Sequence, residues 1–312
     1  MHTVAVLALD LVIPFDLSTP IEVFTRTRLQ DGRPGYQVRI CAEHPEVDAG
    51  LFTLRAPFGL DGLEDAGTII VPGTARPMDP LPPAVRHALK AAAANGTRIA
   101  SICSGAFSLA AAGLLGGLRA TTHWAAADRL VTAYPDITVE PDVLYVDNGQ
   151  ILTSAGAAAG LDLCLHLIRR DHGSAVAADA ARLSVMPLER EGGQAQFIVQ
   201  PLPPAPRGSA LEPLLIWLQA SLARDMTMTD IAAHAGMSPR TLMRRFREQT
   251  GATPLQWLHR ARVRQAQHLL ETTDHTVERI GAQVGFASPT AFRDRFKRVT
   301  GVSPHTYRRT FR

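Results

Sequence analysis

A cysteine stands where local backbone could make it reactive. Arg98-Ile99-Ala100-Ser101-Ile102 is a strand-like run, and Cys103-Ser104-Gly105-Ala106 follows it at once into small residues that open a helix. A thiol at a sharp strand-to-helix turn sits on strained backbone beside a helix N-terminus, and the dipole there favours thiolate. Cys103 is therefore a candidate reactive or sensing thiol, weighed against the commoner fate of a lone cysteine, burial as a small apolar group. Cys41, inside a strand, and Cys164, on an apolar helix face, take the commoner reading. Three cysteines far apart and without CxxC spacing argue against a disulfide framework or a zinc site. A reducing cytoplasm is expected, with no metal and no cofactor.

A second constellation is basic and written twice. Asp230-Ile231-Ala232-Ala233-His234-Ala235-Gly236-Met237-Ser238-Pro239 leads into Arg240 to Phe246, then Thr250-Gly251, Pro254 and Trp257. Arg279-Ile280-Gly281-Ala282-Gln283-Val284-Gly285-Phe286-Ala287-Ser288-Pro289 leads into Thr290 to Phe296, then Thr300-Gly301, Pro304 and Tyr307. The copies register at a spacing of 49, and at 50 after one inserted residue. Each reads as a short helix stopped by glycine, a turn, and a second helix opened by Ser-Pro and closed by Thr-Gly, which is a helix-turn-helix. Leu242 and Phe246, like Phe292 and Phe296, lie four apart and turn inward. The opposite faces form the candidate DNA-reading set: Ser238, Arg240, Thr241, Met243, Arg244 and Arg247, then Ser288, Thr290, Arg293, Asp294 and Lys297. Arginine reads guanine edges and also neutralises phosphates. A single charged helix face is usually only a solvated one, but two copies with an excess of base make double-stranded DNA the expected partner.

Charge divides along the chain in the same sense. Residues 1–210 carry 16 Lys+Arg against 21 Asp+Glu, and residues 211–312 carry 16 against 8, which together give the net +3. Only the second part is built to meet a polyanion. A length of 312 with 46% hydrophobic residues allows two domains, each able to bury a core. The start, Met1-His2-Thr3-Val4-Ala5-Val6-Leu7, has no basic region or cleavage site, so no secretory signal is expected. The apolar run 100–115 is broken by Ser101, Ser104, Gly105, Ser108 and Gly113 and falls short of a membrane span.

Elements must hold these residues. Strands are expected over 4–9, 36–41, 68–71 and 98–102, with a hairpin of 143–146 and 150–153 around Asp147-Asn148-Gly149. Helices are expected over 20–29, 83–94, 106–112, 157–170 and 175–186. The alternation predicts an α/β domain over 1–186, doubly wound around a mostly parallel sheet in the flavodoxin manner. Residues 187–210, rich in Pro and Gly, read as a linker. An all-α domain fills 211–312. It opens on the stripe Leu211, Leu214, Leu215, Leu218 and Leu222, and a long helix around 255–270 joins the two reading units. Arg260, Arg262 and Arg264 on that helix read equally as DNA-backbone contacts or as salt-bridged surface residues.

Two resemblances cover almost the whole chain. Asp16-Leu17-Ser18-Thr19-Pro20-Ile21-Glu22-Val23-Phe24, the Cys103 turn, Thr121-Thr122-His123-Trp124 and Thr153-Ser154-Ala155-Gly156 with Gly160-Leu161-Asp162 resemble the PfpI-like domain of the class I glutamine-amidotransferase superfamily. That resemblance implies Glu22 beside Cys103, and Asp16 as the carboxylate that isonitrile hydratases use with their cysteine. Protease-type members carry His after the nucleophile, where this chain has Ser104, so His123 is only a substitute base or a packed residue. The expectation is a ligand- or redox-sensing pocket of Cys103, Glu22, Asp16 and His123 rather than an enzyme; a cysteine-dependent hydratase or amidase is the alternative. Gly285-Phe286-Ala287-Ser288-Pro289, Phe292, Phe296 and Thr300-Gly301-Val302-Ser303-Pro304 with Tyr307-Arg308 strongly resemble the AraC/XylS-type regulators. Together the halves resemble the GlxA branch, and the 153–173 motifs resemble AdpA-like regulators. The resemblance implies a transcription regulator, an activator acting with RNA polymerase, that dimerises through its first domain, answers a small-molecule effector and needs no membrane.

Overall fold

Five runs of four to six residues, too short for helices, become neighbouring strands at the centre of the first half. In the computed structural model, which describes residues 1–185 and 211–311 with side chains to residue 309, six strands form one sheet. Its order is Tyr36–Cys41, His2–Leu7, Thr68–Val71, Arg98–Ile102, Ile151–Ser154 and Tyr145–Asp147. All pairings are parallel except that of the edge strand Tyr145–Asp147, the other arm of the expected hairpin. Both faces are covered, so Val4, Val6 and Ile70 enter one core while Ala5, Leu7 and Ile69 enter the other. That is why His2–Leu7 and Thr68–Val71 read as continuous apolar runs, whereas the edge strand Tyr36–Cys41 alternates with Gln37 and Arg39. Two small pairs escaped the reading, Glu46–Asp48 with Thr53–Arg55 and Arg119–Ala120 with Thr138–Val139.

The first helix departs from expectation. It runs Pro14–Arg26, starting on Pro14 at its first position and keeping Pro20 inside. Proline fits the first turn, where no N–H partner is lost, so the helix begins six residues before the place that Pro20 suggested. The long element Ala158–Leu183 breaks at Gly173 (φ 84°, ψ 172°), close to the gap expected between its two halves. Just before that break, Asp171 accepts both guanidinium nitrogens of Arg98 (2.8 and 2.6 Å) and the hydroxyl of Tyr36 (2.9 Å). This fastens the helix to the amino-terminal ends of two strands.

The chain divides into two compact units, Met1–Gln196 and Phe197–Arg312; the expected linker 187–210 lies outside the described residues. The second unit is helical. Glu212–Ala220 precedes the pair Met228–His234 and Pro239–Thr250, and the helix Pro254–Thr272 leads to the pair Val277–Gln283 and Pro289–Thr300 and then to Pro304–Phe311. Two separate cores form. Trp257, Leu258 and Ala261 join the first, and Val263, Ala266, Leu269 and Leu270 join the second, so one connecting helix belongs to both. Among the described residues, no helix is long and apolar enough to cross a membrane.

Candidate functional site

At the end of Arg98–Ile102, Cys103 takes a left-handed backbone (φ 57°), as a thiol held at a tight turn must. Its N–H donates to Ser154 O (3.0 Å), and Thr122 Oγ1 donates to its carbonyl (2.8 Å). Gly156 makes the closest approach. A Cβ there would stand 2.2 Å from that of Cys103, which explains the glycine in Ser154-Ala155-Gly156. Ser104, in the place of the proteases' histidine, donates to Thr74 O (2.8 Å) and accepts from Thr74 N (3.0 Å). It serves the turn and offers no base.

Asp16 meets the thiol. It is 2% exposed, its Oδ1 accepts from Ala157 N (3.1 Å), and its Oδ2 forms no well-aligned hydrogen bond among the described residues. Burial pushes its carboxyl above the usual range, although the contacts with Ala157 and Cys103 pull the other way. Burial and then the neighbouring Asp16 charge push the Cys103 thiol up to about 12. Of the two readings open for Cys103, the geometry favours the neutral thiol: desolvation and a facing carboxyl work against the small field of one short helix, Gly105–Ala111.

The expected place of Glu22 is corrected. Its side chain is 61% exposed and pairs with Arg26 at 2.7 Å. With the helix running from Pro14, Asp16, Pro20 and Val23 point inward and Glu22 falls on the outer face. His123 caps the helix Trp124–Ala133, where its Nδ1 accepts from Ala125 N (3.3 Å), and its ring lies 5.5 Å from that of Trp124. It is a helix cap beside Trp124, not a base bonded to the thiol. The elbow thus brings together Cys103 and Asp16, with His123 at the margin and Glu22 outside. Cys41 and Cys164 are buried, and burial raises both thiols. No group of three or more His, Cys, Asp or Glu is placed to hold a metal among the described residues.

The doubled unit is built from matching local devices. Thr227 and Asp230 close a capping box, and Thr276 caps the equivalent helix by accepting from Arg279 N (3.2 Å). Ser238 accepts from Thr241 N (3.2 Å) and Ser288 from Ala291 N (3.1 Å), so both serines open the second helices. Left-handed Gly251 and Gly301 end them, with Thr250 and Thr300 hydroxyls turned back on Phe246 O and Phe296 O. Leu242, Phe246, Phe292 and Phe296 are fully buried. Arg240, Met243, Arg244 and Arg247 on one helix and Thr290, Arg293, Asp294 and Lys297 on the other are exposed. Thr241 shares a hydrogen bond with Ser238 (2.9 Å). Arg244 pairs with Glu248 (3.0 Å), and Arg293 pairs with Glu278 across the turn. Glu278 has no counterpart in the sequence-derived set. It follows an N-cap threonine, a position that usually only serves the helix dipole.

Arg262 answers the question left open on the connecting helix. It is 5% exposed; its Nε donates to Leu222 O (2.9 Å) and a terminal nitrogen donates to Arg224 O (2.6 Å), while its guanidinium lies 5.8 Å from the Phe286 ring. A Cβ on Gly285 would stand 2.3 Å from Leu222 O. Arg262 therefore stitches the first reading unit to the second, almost out of solvent and without a salt bridge among the described residues.

Similarity to known proteins follows the same division. Residues 2–170 match the DJ-1/PfpI family, and residues 231–310 match a helix-turn-helix domain. The HTH-type transcriptional regulator GlxA of Rhizobium meliloti is 32% identical over 92% of this chain and 90% of its own length. The HTH-type transcriptional regulator ArgR of Pseudomonas aeruginosa is 30% identical over 71% of this chain and 67% of its own length. The crystal structure of an AraC family transcriptional regulator from Pseudomonas putida aligns with 59% of this chain and all of its own, at 20% identity and a TM-score of 0.53, which shows a shared fold.

Proposed function

We propose, for a chain that belongs to the DJ-1/PfpI family and is a DNA-binding transcription regulator of the AraC type, that its sequence reading is done by two unequal helix faces. The observation that carries this reading is the pair of exposed, serine-capped helices Pro239–Thr250 and Pro289–Thr300, held by one connecting helix. Two such helices on one rigid support suit successive major-groove segments, about 34 Å apart. The first face, with Arg240, Arg244 and Arg247, supplies phosphate and guanine attraction. The second, with Thr290, Arg293, Asp294 and Lys297, supplies more of the discrimination, because Asp294 repels phosphate and rewards only a donor on a base. Ser238, Thr241 and Ser288 shape the helix starts and have hydroxyls close to where a backbone phosphate would lie.

The first domain is read as a sensor rather than an enzyme. Burial and the facing Asp16 carboxyl, itself in contact with the thiol, push Cys103 up to about 12, and a thiol held neutral is a poor nucleophile at neutral pH. By family resemblance, the protein is taken to be a cytoplasmic homodimer, joined through the first domain, that activates transcription with RNA polymerase in response to a small molecule.

Selection of bound fragments from a random duplex pool supplies the preferred site. Arg244→Ala should then weaken binding to it by about 1–3 kcal/mol and lower the salt slope by roughly one. Binding equal to wild type at every salt concentration would remove Arg244 from the reading face.

A further inference from the structure

The two reading units share their scaffold but differ in what surrounds the exposed face of the second helix. In the second reading unit that face carries Arg293, next to the buried Phe292. A carboxylate from another element engages it: Arg293 Nη2 donates to Glu278 Oε1, on the preceding helix Val277–Gln283. Asp294 stands beside Arg293 in sequence, but neighbours on a helix do not face each other. The acid that reaches the guanidinium therefore comes from across the turn. In the first reading unit the matching positions, 49 and 50 residues earlier, hold Thr229 and Met243, which form no ion pair. There Arg244 takes its carboxylate from its own helix, Glu248, one turn on.

The Glu278–Arg293 pair adds little to the fold. Its side chains are 49% and 48% exposed, and an ion pair so wet barely offsets the entropy of ordering two long side chains. What it changes is the arginine. A free arginine beside DNA settles on the nearest phosphate, which carries no sequence information. One whose guanidinium plane is fixed meets the O6 and N7 of guanine as a fork. A carboxylate on one terminal nitrogen fixes that plane and leaves Nε and the other terminal nitrogen for a base. It also offsets the positive charge that draws the side chain to phosphate. The carboxylate is ionised at neutral pH: its own backbone N–H, and then the charge and hydrogen bond of Arg293, hold it below the usual range against desolvation. The place suits reading, since base edges are met by early residues of the second helix of a helix-turn-helix.

We propose that Glu278 is a positioning residue for base reading: it holds the Arg293 guanidinium toward a guanine edge in the major groove and away from the phosphates. The inference rests on the reading of the second face as the discriminating one. It gives the inequality of the two faces a structural origin, because the first reading unit has no such pair. Removing the two partners then has different consequences. Loss of Arg293 deletes a base contact. Loss of Glu278 keeps the arginine but releases it to the phosphates, so affinity for any duplex rises while selectivity falls.

Fluorescence anisotropy of the full chain tests it, on a selected duplex, its single base-pair variants and a random-sequence duplex, across about 50–200 mM salt. Arg293→Ala should abolish a preference of about tenfold for guanine at one position under the second reading unit. Glu278→Gln should cut that preference about threefold. It should also raise affinity for the random duplex about twofold and steepen the salt slope by roughly one, as Arg293 takes up a phosphate. Glu278→Thr, which copies the matching place in the first reading unit, should repeat the effect. In an Arg293→Ala background neither substitution should add anything. Preferences at positions under the first reading unit should match wild type, which shows that the variants are folded. If Arg293→Ala loses the preference and both Glu278 variants keep it, Glu278 has no positioning role and the reading of the second face survives. Glu278 variants that act equally in the Arg293→Ala background would mean that Glu278 works alone, which also overturns the proposal. A guanine preference untouched by Arg293→Ala at every position would overturn the reading of the second face, and Glu278 with it.

Discussion

Asp16 shows how a buried carboxyl can be kept against stability. With 2% exposure and an Oδ2 without a well-aligned partner, it resists ionisation, and its carboxyl is raised mainly by burial. A group whose folded value is raised favours the fold below its unfolded value, and that contribution fades as pH climbs through the folded one. Asp16→Asn removes the penalty of ionisation. The variant should be more stable than wild type at pH 7, by on the order of 1 kcal/mol, with the gap closing below about pH 4. Thermal unfolding at the two pH values measures it, and a variant no more stable at pH 7 would show that the carboxylate is well accommodated. Sequence showed Asp16 and Glu22 side by side but not which one faces the thiol. Helix phase decides that, and the phase was set by Pro14, whereas Pro20 looked like the natural start. The choice between a reactive and a bland thiol stayed open in the sequence for a related reason. A dipole is a local property legible in Cys103-Ser104-Gly105, but the desolvation that overrides it comes from segments at Gly73 and Gly156.

Elements were most legible where their ends are written in adjacent residues. Ser-Pro starts, Thr-Gly stops and the Thr227/Asp230 box act within four positions, so both reading units could be traced before any packing was known. Arg262 could not be placed that way, because its partners are the carbonyls of Leu222 and Arg224, far off in sequence. Arg262→Ala leaves those carbonyls without a cationic donor and should cost about 2–3 kcal/mol in urea unfolding. It should also free the two units to tolerate duplexes with the half-sites moved by one base pair. A variant as selective for spacing as wild type would deny Arg262 its stitching role. In the first unit, the Arg98–Asp171 pair plays the corresponding part. Burial works against the Asp171 carboxylate, but the hydrogen bonds and charge of Arg98, with Tyr36, outweigh it and hold its pKa below the usual range. A depressed carboxylate adds stability that is full above the unfolded value and lost as pH falls through the folded one. Asp171→Asn should therefore destabilise by roughly 3 kcal/mol at pH 7 and by much less in acid; an equal loss at both pH values would mean that shape, not charge, is what the pair supplies.

At the scale of the whole chain, the division of charge makes oligomeric state measurable through salt. Residues 211–312 hold 16 Lys+Arg against 8 Asp+Glu, whereas residues 1–210 hold 16 against 21, so attraction to phosphate comes from the second unit alone. Its two proposed reading faces expose Arg240, Arg244, Arg247, Arg293 and Lys297. If each neutralises one phosphate, a single chain on its duplex should give a slope of log affinity against log salt of about −4 to −5. Two chains joined through their first domains and seated on adjacent half-sites should give about twice that, near −9, because the acidic domains add no counterion release of their own. Fluorescence anisotropy of a selected duplex between 50 and 200 mM salt separates the cases. The steeper slope would go with second-order dependence on protein at low concentration and a loss of affinity of several orders of magnitude across the range. A slope near −4 with first-order dependence would mean that one chain reads the site by itself. The first domain would then set when the reader binds without setting how many readers bind.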